Sequence, residues 1–389
     1  MVFGLSDIGQ FADVSVEFGD LTLLVGAQGT GKSVFLQLFK FFQDQDYIKN
    51  TMNQFGQDWH KNSKPELMEA YLGEGMNQIW HSESRIIFDG KDAKPSPRLP
   101  KDDGYKEKVY YIPAQRVLTM HTGWPQPYKG YTQRDPFVVK NFSEHIRRYL
   151  EKLEDRDSLF PVAQRIKEPI RDVLNATIFH GATLSRGTSS GQKAMKLNVG
   201  GNEDRAISYM AWSTGQREFL PLLLGCYELL PGGGVTKNSV VEWVVIEEPE
   251  MGLHPMGIFA VMSLVIDLLS RSYRVAISTH SSHVLDIVWA IESIKRQSIT
   301  EGRKIELISE MLGLRSGRPD VSRMIECALR FVLRSYSFEY DQEGRVISKD
   351  ISSLDPGDED EVVAGWGGLA AYSARVSDTV AEAVRSSDA

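Results

Sequence analysis

The segment Leu21-Thr22-Leu23-Leu24-Val25-Gly26-Ala27-Gln28-Gly29-Thr30-Gly31-Lys32-Ser33 constrains this chain more than any other. Its first six residues, apolar but for one threonine and ending in glycine, read as a strand buried on both faces. The stretch Gly26 to Ser33 fits G-x-x-x-x-G-K-[ST]. From Lys32 to Phe42 the residues Phe35, Leu36, Leu38, Phe39 and Phe42 supply the apolar face of a helix. A strand, a glycine-rich turn and an amphipathic helix in that order make a phosphate-binding unit. The glycines let several backbone N–H groups approach an anion, and the helix N-terminus adds the positive end of its dipole. Lys32 would reach the β and γ phosphates of ATP, and the Ser33 hydroxyl would ligate Mg²⁺. A glycine turn that binds nothing is the plain alternative, and the flanking strand and helix argue against it.

A second apolar run, Val244-Val245-Ile246, ends in the adjacent acids Glu247 and Glu248. Successive strand side chains point to opposite faces, so two acids at a strand end can take different work. Glu247 can hold Mg²⁺, and Glu248 can polarise an attacking water as general base. Strands and helices alternate along much of the chain. The spacing predicts strands over Val109–Ile112, Val240–Ile246 and Arg274–Ser278. Helices are expected over Ser143–Leu153, Val162–Leu174, Gly215–Leu230, Met256–Leu269, Ser282–Ile294 and near Leu369–Val384. Lys193–Val199 and Ala206–Ala211 alternate like paired strands, and Lys91–Asp103 reads as an exposed, Pro-rich loop. Such alternation indicates βαβ units and a largely parallel sheet.

Ile246-Glu247-Glu248-Pro249-Glu250-Met251-Gly252-Leu253-His254-Pro255 resembles the hhhDEPE-x-GLHP segment of ABC-type ATPases. The resemblance is to their soluble branch, which includes the OLD nuclease ATPase domains, RecF and SMC proteins. Three further segments stand in the family's order. Tyr111-Ile112-Pro113-Ala114-Gln115-Arg116 sits where the glutamine loop belongs, Trp212-Ser213-Thr214-Gly215-Gln216 resembles the S-x-G-Q signature, and Ser278-Thr279-His280-Ser281-Ser282 matches STHS. The resemblance implies an α/β fold, a P-loop NTPase with an ABC-type ATPase head. Its sheet would be mostly parallel and flanked by helices, with a helical insertion and a small α+β tail. It implies that Gln115 joins Ser33 and Glu247 at Mg²⁺ and senses the γ-phosphate, that His280 contacts the γ-phosphate, and that Gly252-Leu253-His254 crosses a dimer seam. Ser213, Gly215 and Gln216 would meet the γ-phosphate of ATP held by a second copy, beside the Gly26, Ala27, Gln28, Gly29, Thr30, Gly31, Lys32 and Ser33 loop of that copy. Three positions depart from the family pattern: Glu247 stands for the usual Asp, Gln28 for Asn, and Thr214 for Gly. Arg116 reads equally as a phosphate or nucleic-acid contact or as a salt-bridge partner.

The 389 residues suggest two or three domains, or one large α/β domain with insertions. Residues 1–304 are expected to form the ATPase domain, with an insertion at about 43–108 and a helical region at about 141–180, and residues 305–389 a C-terminal α+β extension. Hydrophobic residues at 42% suffice for a core without staples. The two cysteines, Cys226 and Cys327, cannot make a disulfide framework and read as reduced thiols of a cytoplasmic protein. Met1 to Asp20 lacks the pattern of a signal peptide, and no apolar stretch is long enough for a membrane span. The net charge of −8 disfavours a protein coated in basic groups for bulk nucleic-acid binding, though a local contact with DNA stays possible. The acidic run Glu359-Asp360-Glu361 lacks a preceding apolar strand, so it does not read as a nuclease centre.

The resemblance implies an ATPase that forms a homodimer or higher homo-oligomer around ATP and governs a partner. A separately encoded nuclease or toxin effector in an anti-phage module is the first expectation. A repair or recombination ATPase of RecF/SMC type is the second, and a nucleotide-dependent scaffold that does not hydrolyse is the third.

Overall fold

The computed structural model describes residues 1–57, 64–96, 104–153, 159–162, 165–189, 191–201, 206–231, 237–238 and 240–387. The chain opens with the hairpin β1 (Val2–Ile8) and β2 (Phe11–Glu17), then the buried strand β3 (Leu21–Gly26) and helix α1 (Lys32–Gln43). Helices α2 (Gln45–Gln54) and α3 (Lys64–Leu72) follow, then the short strands β4 (Arg85–Phe88) and β5 (Lys91–Ala93) and strand β6 (Val109–Ile112). Next come α4 (Phe137–Glu151), α5 (Glu168–Leu174), the strands β7 (Thr183–Ser189), β8 (Gln192–Asn198) and β9 (Ala206–Ser208), and α6 (Thr214–Leu229). The sequence continues as β10 (Trp243–Glu247), α7 (Pro255–Ser270), β11 (Arg274–Ser278) and α8 (Ser282–Arg296). It closes with α9 (Glu301–Met311), α10 (Pro319–Ala328), β12 (Leu333–Tyr340), β13 (Val346–Asp350), α11 (Glu361–Ala364) and α12 (Ala371–Ser387).

One large sheet runs in the order β5-β4-β1-β2-β13-β12-β3-β11-β10-β6. From β12 through β3, β11 and β10 to β6 every pairing is parallel, and β13 also runs parallel to β2. Antiparallel hairpins finish the other edge. A separate antiparallel sheet, β7-β8-β9, lies outside it. The parallel strands are buried on both faces, and their alternation sorts side chains into two cores. Val244 and Ile246 of β10 join the core under α6, α7, α8 and α10, whereas Trp243 and Val245 join the core under α1, α2 and α3. In the second core Phe18 stacks on Phe39 with centroids 4.5 Å apart, and the Trp243 ring meets Phe39 edge-on at 5.3 Å. Aromatic packing of this kind fixes α1, and with it the phosphate loop, against the sheet.

Several expectations shift. Helix α4 begins at Phe137, six residues before Ser143, because Pro136 supplies a preset φ at its N-cap. The helix expected from Val162 starts at Glu168, with Pro169 in its first turn. The strand expected over Ala206–Ala211 ends at Ser208 and tightens into a 3₁₀ turn over Tyr209–Ala211. Of the loop expected over Lys91–Asp103, Lys91–Ala93 forms β5, and residues 97–103 lie outside the described residues. From the part of the chain after residue 304, β12 and β13 enter the main sheet between β3 and β2. No described helix is long and apolar enough to cross a membrane.

Candidate functional site

β3, β10 and β11 are neighbours in the parallel half of the sheet, so their C-terminal ends open at one edge. A crevice outside the carboxyl ends of parallel strands is where such sheets hold ligands. Here β3 delivers the loop Gly26 to Ser33, β10 delivers Glu247 and Glu248, and β11 delivers Ser278 and His280. In the loop, Gly26, Gly29 and Gly31 all have positive φ. Gly31, at φ +80°, is the N-cap of α1, and a Cβ there would stand 2.7 Å from both Gln10 Nε2 and Phe11 Cζ. Only glycine suits that conformation and that space. Ala27, Gln28 and Gly29 are exposed, whereas Thr30 is buried and its hydroxyl donates to the Ala27 carbonyl at 2.9 Å.

Lys32 is 5% exposed and donates to the carbonyls of Gly26 (2.9 Å) and Ala27 (3.0 Å) and to the Thr30 hydroxyl (3.3 Å). Burial lowers its amine to about 8, against the pull of Glu248 and Glu250. Glu247 is 3% exposed, and its Oε2 accepts from the Ala114 N–H at 3.0 Å. Its Oε1 is buried without a hydrogen-bond partner. Burial raises the Glu247 pKa, while the nearby Ser33 hydroxyl, the Ala114 N–H and the Tyr111 hydroxyl work in the other direction. A carboxylate oxygen lacking a partner, next to a serine hydroxyl, is a hard-oxygen donor set that fits Mg²⁺. Glu248, at φ +43°, donates its N–H to the Ser278 carbonyl at 2.8 Å. Its Oε1 lies 3.6 Å from His280 Nε2. Burial and the neighbouring Lys32 charge lower the His280 pKa, so the imidazole is neutral at pH 7.

Lys32, Ser33, Glu248 and His280 line one cavity of about 460 Å³, together with Gln28, Gly29, Gly31 and Ser278. Part of its lining is apolar: Ile8 and Phe11 from the β1–β2 hairpin, Met76 and Ile79 from a 3₁₀ turn after α3. Gln10, at the hairpin tip, donates to the Gly29 carbonyl at 2.7 Å. Nothing in the sequence around residues 8–11 or 76–79 marks them for a site, because packing alone brings them to the phosphate loop. The cavity thus joins polar groups of the phosphate loop and of the ends of β10 and β11 to an apolar lining.

The remaining sequence candidates stand apart from that cavity. Gln115 is exposed at the turn after β6 and does not line it. Ser213 is the exposed N-cap of α6, where its hydroxyl accepts from the Gln216 N–H at 3.3 Å and Gln216 Oε1 accepts from the Ser213 N–H at 3.2 Å. This is a capping box. The Gln216 amide also donates to the Ile178 carbonyl at 3.1 Å, so its side chain is spent on holding the turn. Gly215 rests against Gly252, where a Cβ would meet the Gly252 carbonyl oxygen at 2.6 Å, so the signature turn and the loop after β10 are in contact within one chain. The four hydrogen bonds that the Arg116 guanidinium makes among the described residues all go to main-chain carbonyls. Arg116 is 1% exposed, and Glu218 Oε2 lies 3.9 Å from its Nε, the ion pair that one of the two sequence readings allows.

Residues 21–286 match the family model described as "AAA domain, putative AbiEii toxin, Type IV TA system". No curated protein matches the chain. Among solved structures it is similar to the SMC head domain from Thermotoga maritima, at 12% identity over 90% of this chain and 97% of that one, with a TM-score of 0.34. It is similar to an SMC head bound to the C-winged helix domain of ScpA, at 12% identity over 91% and 99%, with a TM-score of 0.37. A third is cbiO1 from Clostridium perfringens, part of the ABC transporter complex cbiONQ, at 14% identity over 72% and 78%, with a TM-score of 0.31.

Proposed function

The chain belongs to the family of AAA domains described with the AbiEii toxin, and is thereby an ABC-type P-loop ATPase; on that premise we propose that it hydrolyses ATP between two copies of itself and so switches a partner. The observation that carries this reading is the single cavity whose polar lining joins Lys32 and Ser33 to Glu248 and His280. The triphosphate lies along the loop from Gly26 to Ser33, and Lys32 exchanges the Gly26 and Ala27 carbonyls for phosphate oxygens. Ser33 and Glu247 would hold Mg²⁺, which would neutralise charge on the phosphates. The base stacks against the apolar lining of Ile8, Phe11, Met76 and Ile79. Glu248 accepts a proton from the attacking water as its oxygen bonds to the γ-phosphorus and the bond to the bridging oxygen breaks. His280 beside it orients the carboxylate and the γ-phosphate.

Ser213 and the N-terminus of α6 face solvent, away from the cavity, which supports a site completed by a second copy. Exposed apolar side chains bracket the loops concerned: Met210 before the signature, Leu118 after Gln115, and Met256 after His254. A symmetric pair buries both sets at once and completes two sites. The toxin in the family description supports a place in a defence or toxin–antitoxin module, where the nucleotide state of the pair governs a separately encoded nuclease or toxin effector.

Turnover of ATP by the purified protein and by Glu248→Gln tests this reading. The amide cannot take the proton, so hydrolysis should fall by about 100-fold or more while nucleotide binding stays. Glu248→Gln turning over ATP near the unsubstituted rate would remove Glu248 as the base.

A further inference from the structure

Arg116 follows Gln115 at the start of the 3₁₀ turn Arg116–Met120, and its guanidinium is fully enclosed. Nη1 donates to the Glu247 carbonyl at 2.9 Å and, at 3.4 Å, to that of Pro113. Nη2 donates to the Glu248 carbonyl at 3.0 Å, and Nε to the Glu218 carbonyl at 2.9 Å. These acceptors belong to three elements: the end of β10, the turn after β6, and the second turn of α6. Enclosing a guanidinium without a carboxylate hydrogen bond is costly. The nearest carboxylate oxygen, Glu218 Oε2, is buried without a hydrogen-bond partner and lies 3.9 Å from Nε.

The arrangement bears directly on Glu248. Its left-handed backbone, at φ +43°, is a conformation that a residue with a Cβ holds only when its surroundings impose it. Three bonds to its main chain do so here: its own N–H donates to Ser278, and its carbonyl accepts from the Met251 N–H at 3.1 Å and from Arg116, the one side chain among them. We propose that Arg116 is a positioning residue that holds Glu248 in the backbone conformation aiming its carboxylate into the cavity, and ties that conformation to α6, the helix opened by Ser213. Displacement of α6 as a second copy engages Ser213 then reaches Glu248 through one rigid planar group. This rests on the reading of Glu248 as the base. A lysine could not replace it, since an ammonium on a flexible stem cannot serve carbonyls in three directions at once.

The test uses Arg116→Lys and Arg116→Gln beside Glu248→Gln, in the full chain. It measures kcat, the Kd of ATP with a fluorescent analogue, and ATP-dependent pairing by light scattering. Arg116 does not line the cavity, so both Arg116 variants should bind ATP within about threefold of the unsubstituted protein and still pair, while kcat falls by about 100-fold, the order a misplaced general base loses. Should Arg116→Gln fail to fold, Arg116→Lys, which keeps the charge, decides the matter. A near-normal kcat in the Arg116 variants with Glu248→Gln inactive overturns the positioning role alone, as does a Kd weakened as much as kcat. Near-normal turnover in Glu248→Gln overturns the base assignment and this inference with it.

Discussion

Glu250 anchors His280 through its backbone: Glu250 Oε1 accepts from the His280 N–H at 2.8 Å and from the Thr279 hydroxyl at 2.7 Å. The loop after β10 therefore holds the loop after β11, and the separation of His280 from Glu248 follows from that bond. Glu250→Ala leaves the buried Thr279 hydroxyl and the His280 N–H without their acceptor. The expected destabilisation is about 1–3 kcal/mol by chemical denaturation. ATP turnover should fall by about tenfold or more with binding retained, because His280 loses its fixed position. Glu250→Gln keeps an acceptor oxygen and should lose less. Stability and turnover both unchanged in Glu250→Ala would show that the anchor is idle.

Lys32 makes nucleotide affinity depend on pH. Burial lowers its amine to about 8 in the free protein, and phosphate oxygens restore the charged form on binding. Above pH 8 the protein must take up a proton to bind, so affinity should fall as pH rises from 7 to 9, approaching about tenfold per unit at the upper end. Titration with a fluorescent nucleotide at three pH values reads this. An affinity that is constant over the range contradicts it.

An ionic chain, buried at Lys40, Asp44 and Glu107 and half-buried at His145 and Glu228, couples the elements that carry the site. Lys40 of α1 bonds to Asp44 at 3.2 Å and Glu107 at 2.6 Å, Glu107 to His145 of α4 at 2.7 Å, and His145 to Glu228 of α6 at 3.0 Å. Burial alone would lower the His145 pKa, but Glu228 and Glu107 outweigh it and raise it to about 10. A folded-state pKa above the unfolded value of 6.5 contributes stability that is complete below pH 6.5 and is lost as pH rises toward 10. Unfolding free energy should therefore decline between pH 7 and 10, by at most about 1.4 kcal/mol per pH unit. His145→Gln should be less stable at pH 7 and show a flatter decline. An identical slope in both proteins would exclude His145 as the group responsible.

Much of the site is legible locally. The loop from Gly26 to Ser33 follows an apolar strand, and Glu247 and Glu248 end another, so the type and order of neighbouring residues suffice to place them. What escaped the sequence is set by distant parts of the chain. The apolar lining of Ile8, Phe11, Met76 and Ile79 exists because a hairpin tip and a 3₁₀ turn pack together, with the Gly9 N–H donating to the Ile79 carbonyl at 2.8 Å. Strand β12 pairs Phe338 with Gly26 across more than 300 residues of sequence, and no local pattern names such a neighbour. Arg116 was readable as a charged residue but not as a clamp, since its partners are main-chain carbonyls, which every residue has.

The central claim is that one active site draws on two copies of the chain, with Lys32 in the cavity of one and Ser213 from the other. Mixing Lys32→Ala with Ser213→Asp tests it most directly. Aspartate still caps α6, so the turn survives, but it sets a negative charge where the γ-phosphate of the second copy would sit. Each variant alone should be inactive. In an equal mixture half of the pairs are mixed, and each mixed pair holds one intact Lys32 facing one intact Ser213. Turnover should then return to about a quarter of the unsubstituted rate, as two-fold pairing requires. A mixture no more active than either variant alone, measured where light scattering shows mixed pairs with ATP, would contradict the account.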